Sequence, residues 1–290
     1  MTTITPDLPG GTWTLGNTPV SRVGYGAMQL AGPWVMGPPS DRAAALTVLR
    51  DAVASGITHI DTAETYGPRV VNELIREALY PYPENLVVAT KVGGRRDAQG
   101  GWPAARTPDE LRQQVDDNLE TLGVDALDLV HLRLGDANGP VAEPVQDAFE
   151  TLVGLQEQGI IRHLGVSNAT AVQVAQAQAI APIVSVQNWY NLANRRDDDL
   201  IDRLADDGVA FIPFFPLGGF TPLQSDGLSA VAARLGATRM AVALAWLLHR
   251  SPNILLIPGT SSAQHLQENI AGAGLALSDD DLLELGAIAG

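Results

Sequence analysis

Short apolar runs rich in β-branched residues alternate along this chain with longer segments whose apolar residues recur every three or four positions. The runs cover residues 23–26, 57–61, 86–91, 127–132, 160–166, 183–187, 209–214 and 254–257. Each has the length and content of a buried strand. The segments between them, among them 42–54, 71–79, 108–122 and 144–158, have the periodicity of amphipathic helices. Gly56, Gly123, Gly159 and Gly208 follow four of these helices, where a left-handed C-terminal cap suits glycine. Eight strands, each followed by a helix, predict an α/β fold of the (β/α)8 TIM-barrel type. An N-terminal β-hairpin around Leu15-Gly16-Asn17 precedes the first strand. Extra helices are expected over 237–250 and, capped by Ser278 with Asp281 three residues on, over 278–289. An open doubly wound sheet is the alternative, but no G-x-G-x-x-G follows the first strand. No linker or change of composition interrupts the 290 residues, which predicts one domain over 1–290.

In a barrel, chemistry gathers at the C-terminal ends of the strands and in the loops beyond them. Asp61 ends the second strand, Lys91 the third and His131 the fourth, and Tyr66 lies on the loop after the second. Each residue has a bland reading: a helix cap, a satisfied buried histidine, a loop anchor. Together at one rim they form a set suited to carbonyl reduction. A tyrosine is a poor proton donor near neutral pH unless its phenolate is stabilised. A nearby ammonium supplies that stabilisation, and a carboxylate holds the ammonium in place. Tyr66 is then the acid, Lys91 its tuner, Asp61 the anchor of Lys91, and His131 the group that orients the carbonyl.

Composition sharpens one of these assignments. The chain has 17 arginines and a single lysine, Lys91. Where arginine serves almost everywhere, the surviving lysine marks a position that needs a compact ammonium. There is no cysteine, and His163, His249 and His265 have no metal-ligand spacing, so no metal is expected. A formal charge of −15 argues against nucleic acid as a partner. No apolar run is long enough for a membrane span and no secretory signal is recognisable, so a cytoplasmic protein is expected. Oligomeric state is not legible.

The runs Asp61-Thr62-Ala63-Glu64-Thr65-Tyr66-Gly67, Thr90-Lys91 and Asp128-Leu129-Val130-His131 resemble, in order and spacing, the catalytic tetrad of the aldo-keto reductase superfamily. The resemblance covers nearly the whole chain and implies a barrel that reduces small-molecule carbonyls with NADPH/NADP+. It implies that Ser167, Asn168 and Gln187 hold the nicotinamide carboxamide and that Phe214 stacks on the ring, with Phe215 and Leu217 beside it. Gly259, Thr260, Ser261, Ser262, His265, Glu268 and Asn269 are similar to the family's adenosine-phosphate loop and helix. Better-known members carry lysine at the position of Gly259 and arginine at that of His265, so the 2′-phosphate would be held here by backbone amides and hydroxyls.

Further motifs, including Met28-Gln29-Leu30-Ala31-Gly32-Pro33, Tyr80-Pro81-Tyr82-Pro83 and the stretch 213–220, are similar to the family's bacterial pyridoxal reductase branch. Trp34, Trp102, Arg133 and Trp189 are placed to line a substrate mouth, with core packing an equal alternative for Trp102 and Trp189. His59 reads as a hydrogen-bonded barrel histidine. Two other functions stay open: a cofactor-binding regulatory subunit, and a specialised-pathway carbonyl reductase with an unusual substrate. The complete tetrad favours chemistry.

Overall fold

The computed structural model describes residues 8–136, 139–218 and 225–288. Gly219 and Phe220 of the branch motif therefore lie outside the described residues. β1 (Thr12–Leu15) and β2 (Thr18–Ser21) pair antiparallel across a Gly16-Asn17 turn. Seven parallel strands follow: β3 (Tyr25–Gly26), β4 (His59–Asp61), β5 (Val87–Val92), β6 (Leu127–Arg133), β7 (Ile161–Ser167), β8 (Ser185–Gln187) and β9 (Ala210–Phe211). They lie side by side in chain order. Residues 253–259 run between the two end strands. Phe211 bridges to Ile254, Val23 to Leu256 and Gly26 to Gly259, all parallel. The stretches 23–26, 209–214 and 254–257 thus form shorter ladders than their β-branched content predicts, because they meet through isolated bridges.

Parallel neighbours need crossover connections, and helices supply them. α1 (Arg42–Ala54), α2 (Val70–Leu79), α3 (Pro108–Leu122), α4 (Gln146–Glu157), α5 (Ala171–Ile180) and α6 (Asp198–Asp206) each separate two successive strands; α7 (Asp226–Arg234), α8 (Arg239–Arg250), α9 (Ala263–Ala273) and α10 (Asp279–Gly286) complete the described α-helices. α3 illustrates how local sequence sets the boundaries. Thr107 and Glu110 form a reciprocal capping box, Pro108 occupies the first turn, and Gly123 takes φ 70° at the C-terminal cap. Among the described residues, no single helix is long and apolar enough to cross a membrane.

Strand periodicity divides the core in two. Val87, Ala89, Leu129, Ala210, Ile212 and Leu255 form an inner cluster with Leu15 and Val20 of the antiparallel pair. Ile60, Val88 and Val130, from the opposite faces, pack against the helices. With a period of two, Lys91 therefore stands above Ala89 and Val87 on the inner side, and Asp61 above His59.

A buried polar network braces the strand ends that carry these residues. Thr62 Oγ1 donates to Asn72 Oδ1 (2.9 Å), Asn72 Nδ2 to Asn118 Oδ1 (2.9 Å), and Thr90 Oγ1 to the same Asn118 oxygen (2.6 Å). Asn118 Nδ2 in turn donates to Gln114 O at 2.8 Å. Asn118 is fully buried and joins α2, α3 and β5. Replacing it with leucine leaves the Thr90 hydroxyl and the Asn72 amide short of an acceptor, and each unpaired buried group costs about 1–3 kcal/mol. Urea unfolding of Asn118→Leu is expected to show a loss of roughly 2–5 kcal/mol. A variant as stable as the parent would show the network to be dispensable.

Candidate active site

A cavity of about 580 Å3 opens at the C-terminal ends of the strands. Asp61, Tyr66, Lys91, Arg133 and Gln187 lie on its wall. Lys91 Nζ donates to Asp61 Oδ1 at 2.6 Å and to the Thr62 carbonyl at 2.9 Å. The other carboxylate oxygen accepts from Gln187 Nε2 at 2.7 Å. Asp61 and Lys91 are both buried, and the ammonium sits 5.1 Å from the centre of the Tyr66 ring. Burial disfavours the charge on Lys91, but the Asp61 carboxylate and then Tyr66 outweigh it and hold the lysine above its ordinary value. The site thus keeps one charged ammonium against a tyrosine at the end of the largely apolar inner face of the sheet.

Tyr66 is fixed by its backbone, which donates to Ala63 O at 3.0 Å and accepts from Val71 N at 3.2 Å. Its ring meets Trp102 edge to face at 6.5 Å. Arg96 stacks over the Trp102 ring, 4.0 Å from its centre, and donates to Trp34 O at 2.7 Å. Trp102 lies on the cavity wall as expected. Trp34 does not: its side chain is 82% exposed, with φ 59°. Its carbonyl, held by Arg96, ties the 33–36 turn to the loop after β5, and the ring is left outside. Trp189 likewise faces the cavity as expected, beside Phe214 and Phe215.

His131 also departs from its expected place. It is fully buried beneath the cavity wall, and its Nε2 pairs with Ser185 Oγ at 2.8 Å. The cause is strand register. Lys91 and His131 are direct partners across β5 and β6, and Gly165, opposite His131 on β7, leaves room for the ring, since a Cβ there would come 2.7 Å from His131 Cδ2. The flexible lysine reaches upward, whereas the imidazole cannot. Arg133, two residues on, takes the wall position. Burial first, and the Lys91 charge second, push the His131 pKa down to about 3.

The expected cofactor residues divide into two groups. Asn168, Gln187, Phe214, Phe215, Leu217 and Gly259 reach the cavity wall. Ser167 lies directly beside Gln187 in the β7–β8 register, fully buried, with an unpartnered Oγ. Asn168 Nδ2 is committed to Leu134 O (2.9 Å) and Asp136 O (3.0 Å).

Thr260, Ser261, Ser262, His265, Glu268 and Asn269 lie off this wall, on the turn into α9 and its first turns. Ser262 caps α9 by accepting from His265 N at 3.3 Å. Thr260 and Asn269 are buried, whereas Ser261, His265 and Glu268 are exposed. A Cβ on Gly259 would come 2.7 Å from Gly26 O, so close approach of two backbones dictates this glycine.

Sequence reasoning missed the bracing pair Asn72 and Asn118. The available signal was polar side chains at inward positions of apolar helical stripes, as where Gln114 and Asn118 alternate with Leu111, Val115 and Leu122. It also missed Ser185 beneath His131, and Gln187 as a partner of Asp61.

Residues 22–289 match the sequence profile of the Aldo/keto reductase family. The chain is 57% identical over 283 residues to pyridoxine 4-dehydrogenase of Escherichia coli strain K12, spanning 97% of this chain and 99% of that one. Among solved structures it is similar to a thermostable aldo-keto reductase in complex with the inhibitor epalrestat, at 28% identity and TM-score 0.81, covering 96% and 99% of the two chains. It is also similar to an aldo-keto reductase from Klebsiella pneumoniae in complex with NADPH, at 26% identity and TM-score 0.77, covering 95% and 94%.

The depressed pKa of His131 has a consequence for pH. The unfolded chain takes up this proton near the ordinary histidine value of about 6.5 and the folded chain only near 3, so the histidine subtracts stability progressively as pH falls below about 6.5. The His131 ring resonances are expected to show no titration between about pH 5 and 8 in NMR spectra. A midpoint inside that window would contradict a buried neutral imidazole.

Proposed function

The chain belongs to the aldo/keto reductase family, and from that premise we propose that Tyr66, Lys91 and Asp61 carry the NADPH-dependent reduction of an aldehyde, with pyridoxal to pyridoxine as its reaction. The chain is an oxidoreductase of this family, acting on a small-molecule carbonyl. The observation that carries the catalytic assignment is the ammonium of Lys91, anchored 2.6 Å from Asp61 and facing the Tyr66 ring. That charge favours the phenolate left when the Tyr66 hydroxyl gives its proton to the carbonyl oxygen. Asp61, with both oxygens occupied, keeps the ammonium from swinging into the cavity. His131 acts from below as a positioning residue: kept neutral, it leaves Lys91 without a competing cation.

The donor set fits a nicotinamide. A carboxamide needs one donor for its oxygen and acceptors for its NH2. Ser167 offers a buried, unpartnered hydroxyl. Asn168 and Gln187 have committed their NH2 groups elsewhere and keep their carbonyl oxygens for that purpose. Phe214 and Phe215 supply aromatic surface on the same wall. The chemistry supplied by a bound NADPH is delivery of a hydride to the carbonyl carbon. With the cation positions of other members occupied by Gly259 and His265, the 2′-phosphate would rest on Thr260, Ser261, Ser262 and the N-terminus of α9, next to Glu268 and Asn269. The bridges at Ile254, Leu256 and Gly259 support reading the sheet as a closed (β/α)8 barrel, with the antiparallel pair at its N-terminal end and α8 and α10 as added helices, over one domain of residues 1–290. We assign the enzyme to the cytoplasm.

Purified protein supplied with NADPH and pyridoxal is expected to consume NADPH and form pyridoxine. Lys91→Arg tests the site. A guanidinium satisfies a carboxylate well, but it is too large to keep both the 2.6 Å and 2.9 Å bonds beneath the Tyr66 ring. The variant should fold, still bind NADPH by fluorescence, and lose roughly 10²- to 10⁴-fold in kcat. Near-parental turnover by Lys91→Arg would remove the basis for the assignment.

A further inference from the structure

Three inward positions on β6 rise from the barrel interior to the cavity: Leu129, His131 and Arg133. Arg133 ends the strand, and its backbone is firmly held. Arg106 Nε donates to Arg133 O at 2.9 Å and Arg106 Nη2 to Gly135 O at 2.8 Å, and Arg106 itself is paired with Glu143. Glu143 also accepts from Gly135 N at 2.6 Å. The root of the Arg133 side chain is therefore rigid.

Its guanidinium, by contrast, is uncommitted. Seven described arginines are shielded from solvent to some degree: Arg22, Arg69, Arg96, Arg106, Arg133, Arg195 and Arg250. Six of them hydrogen-bond or pair with protein groups. The Arg133 guanidinium makes no hydrogen bond or ion pair within the described residues. Two carboxylates share the cavity wall with it. Asp61 is already neutralised by Lys91, and Asp136 acts on Arg133 more weakly than Tyr66 does. A half-buried guanidinium with five donors and no protein acceptor is a receptor for an anionic oxygen on a ligand.

We propose that Arg133 selects aldehydes bearing an ionised hydroxyl next to the carbonyl, its guanidinium receiving the phenolate oxygen while the carbonyl oxygen faces Tyr66. The proposal rests on the reductase reading above and names the substrate class it serves. Tyr66 and Arg133 line one cavity and lie within electrostatic reach of each other. An ortho-hydroxy aromatic aldehyde carries its hydroxyl and its CHO group on adjacent ring carbons, so one ligand presents two neighbouring oxygens and can engage both residues. Pyridoxal belongs to this class, with its ring hydroxyl adjacent to the aldehyde. In the reduction the aldehyde carbon gains a hydride and its oxygen the proton of Tyr66, while the phenolate stays ionised and paired to Arg133 throughout.

The test compares 2-hydroxybenzaldehyde with benzaldehyde, alongside pyridoxal, at a pH where the phenol is ionised. In Arg133→Met, kcat/KM for 2-hydroxybenzaldehyde and for pyridoxal is expected to fall about 10- to 100-fold further than that for benzaldehyde, mainly through KM. Arg133→Lys, which keeps the charge and loses the fork, should recover part of the difference. Calorimetric binding of the two benzaldehydes to NADP+-loaded protein should show the same selective loss. An equal loss on both benzaldehydes, or no loss on either, would overturn the proposal. If the parent protein ignores pyridoxal yet reduces 2-hydroxybenzaldehyde in an Arg133-dependent way, the proposal stands and the pyridoxal assignment fails. If the parent reduces none of these aldehydes, the reductase reading fails, and the binding comparison still decides the role of Arg133.

Discussion

Lys91 and Asp61 form an ion pair in which both side chains are buried, and most of what surrounds the cavity can be understood as the means of keeping that pair in place. A buried pair of this kind adds little net stability, because desolvation of two charges offsets their attraction. Removing one partner, however, strands the other at a cost of about 3–5 kcal/mol. The protein meets that requirement by saturating the pair. Gln187 takes the free carboxylate oxygen, and the Thr62 carbonyl takes a second ammonium proton. One layer out, the Thr62–Asn72–Asn118–Thr90 chain fixes the two strand ends from which the pair projects. A set of buried polar bonds thus converts a costly charge pair into a rigid one, and rigidity gives the ammonium a fixed position relative to Tyr66.

That organisation was only partly legible in the sequence. The strand–helix alternation gave the order of the parallel sheet, and the limits of α1 and α3 fall where periodicity and capping residues put them. Asp61 and Lys91 could be read because each ends a strand, and the absence of any other lysine singled out Lys91. His131 could not be placed by the same rule. Ending a strand fixes the rim a residue belongs to, but its height above the core depends on register and side-chain reach, and here Gly165 lets the imidazole settle inward. Trp34 shows a similar gap: a backbone at φ 59° turns the indole outward, and nothing in its neighbouring residues announces that. The asparagine braces were visible in principle as polar residues on apolar stripes, but their partners lie up to 49 positions apart, as from Asn72 to Thr121.

Backbone packing also decides chemistry at the opposite side of the cavity. Gly26 and Gly259 meet where β3 and the 253–259 segment run side by side, and a Cβ on either would press on a carbonyl oxygen, at 2.4 Å for Gly26 and 2.7 Å for Gly259. A side chain at 259 would have to separate these backbones. The glycine at that position is therefore coupled to the sheet geometry itself, and in the proposed reading the phosphate falls to the turn at 260–262. There the hydroxyls already serve the fold: Thr260 Oγ1 accepts from Ser262 N at 3.0 Å, and Ser262 caps α9. Ser261 alone of the three has no such bond among the described residues.

The distribution of positive charge follows from these commitments. The chain carries a formal charge of −15, so its general field does not attract anions, and any anionic group entering the cavity has to be met by a particular cation. Lys91 is spent on Asp61, and Arg106 on Glu143 and two backbone carbonyls. Arg96 is stacked on Trp102 and bonded to Trp34. Each holds part of the wall in shape. Arg133 alone stands on that wall with its charge unclaimed by a described residue, on a backbone that Arg106 has immobilised. Desolvation of an unpaired guanidinium works against the folded state, as the lowered pKa of Arg133 reflects. A ligand anion that restores the missing partner gains from that penalty, because the cavity is relieved of an unsatisfied charge at the moment of binding. Discrimination then comes from the acceptor a ligand carries beside its carbonyl, while the hydride and the proton act on the carbonyl alone.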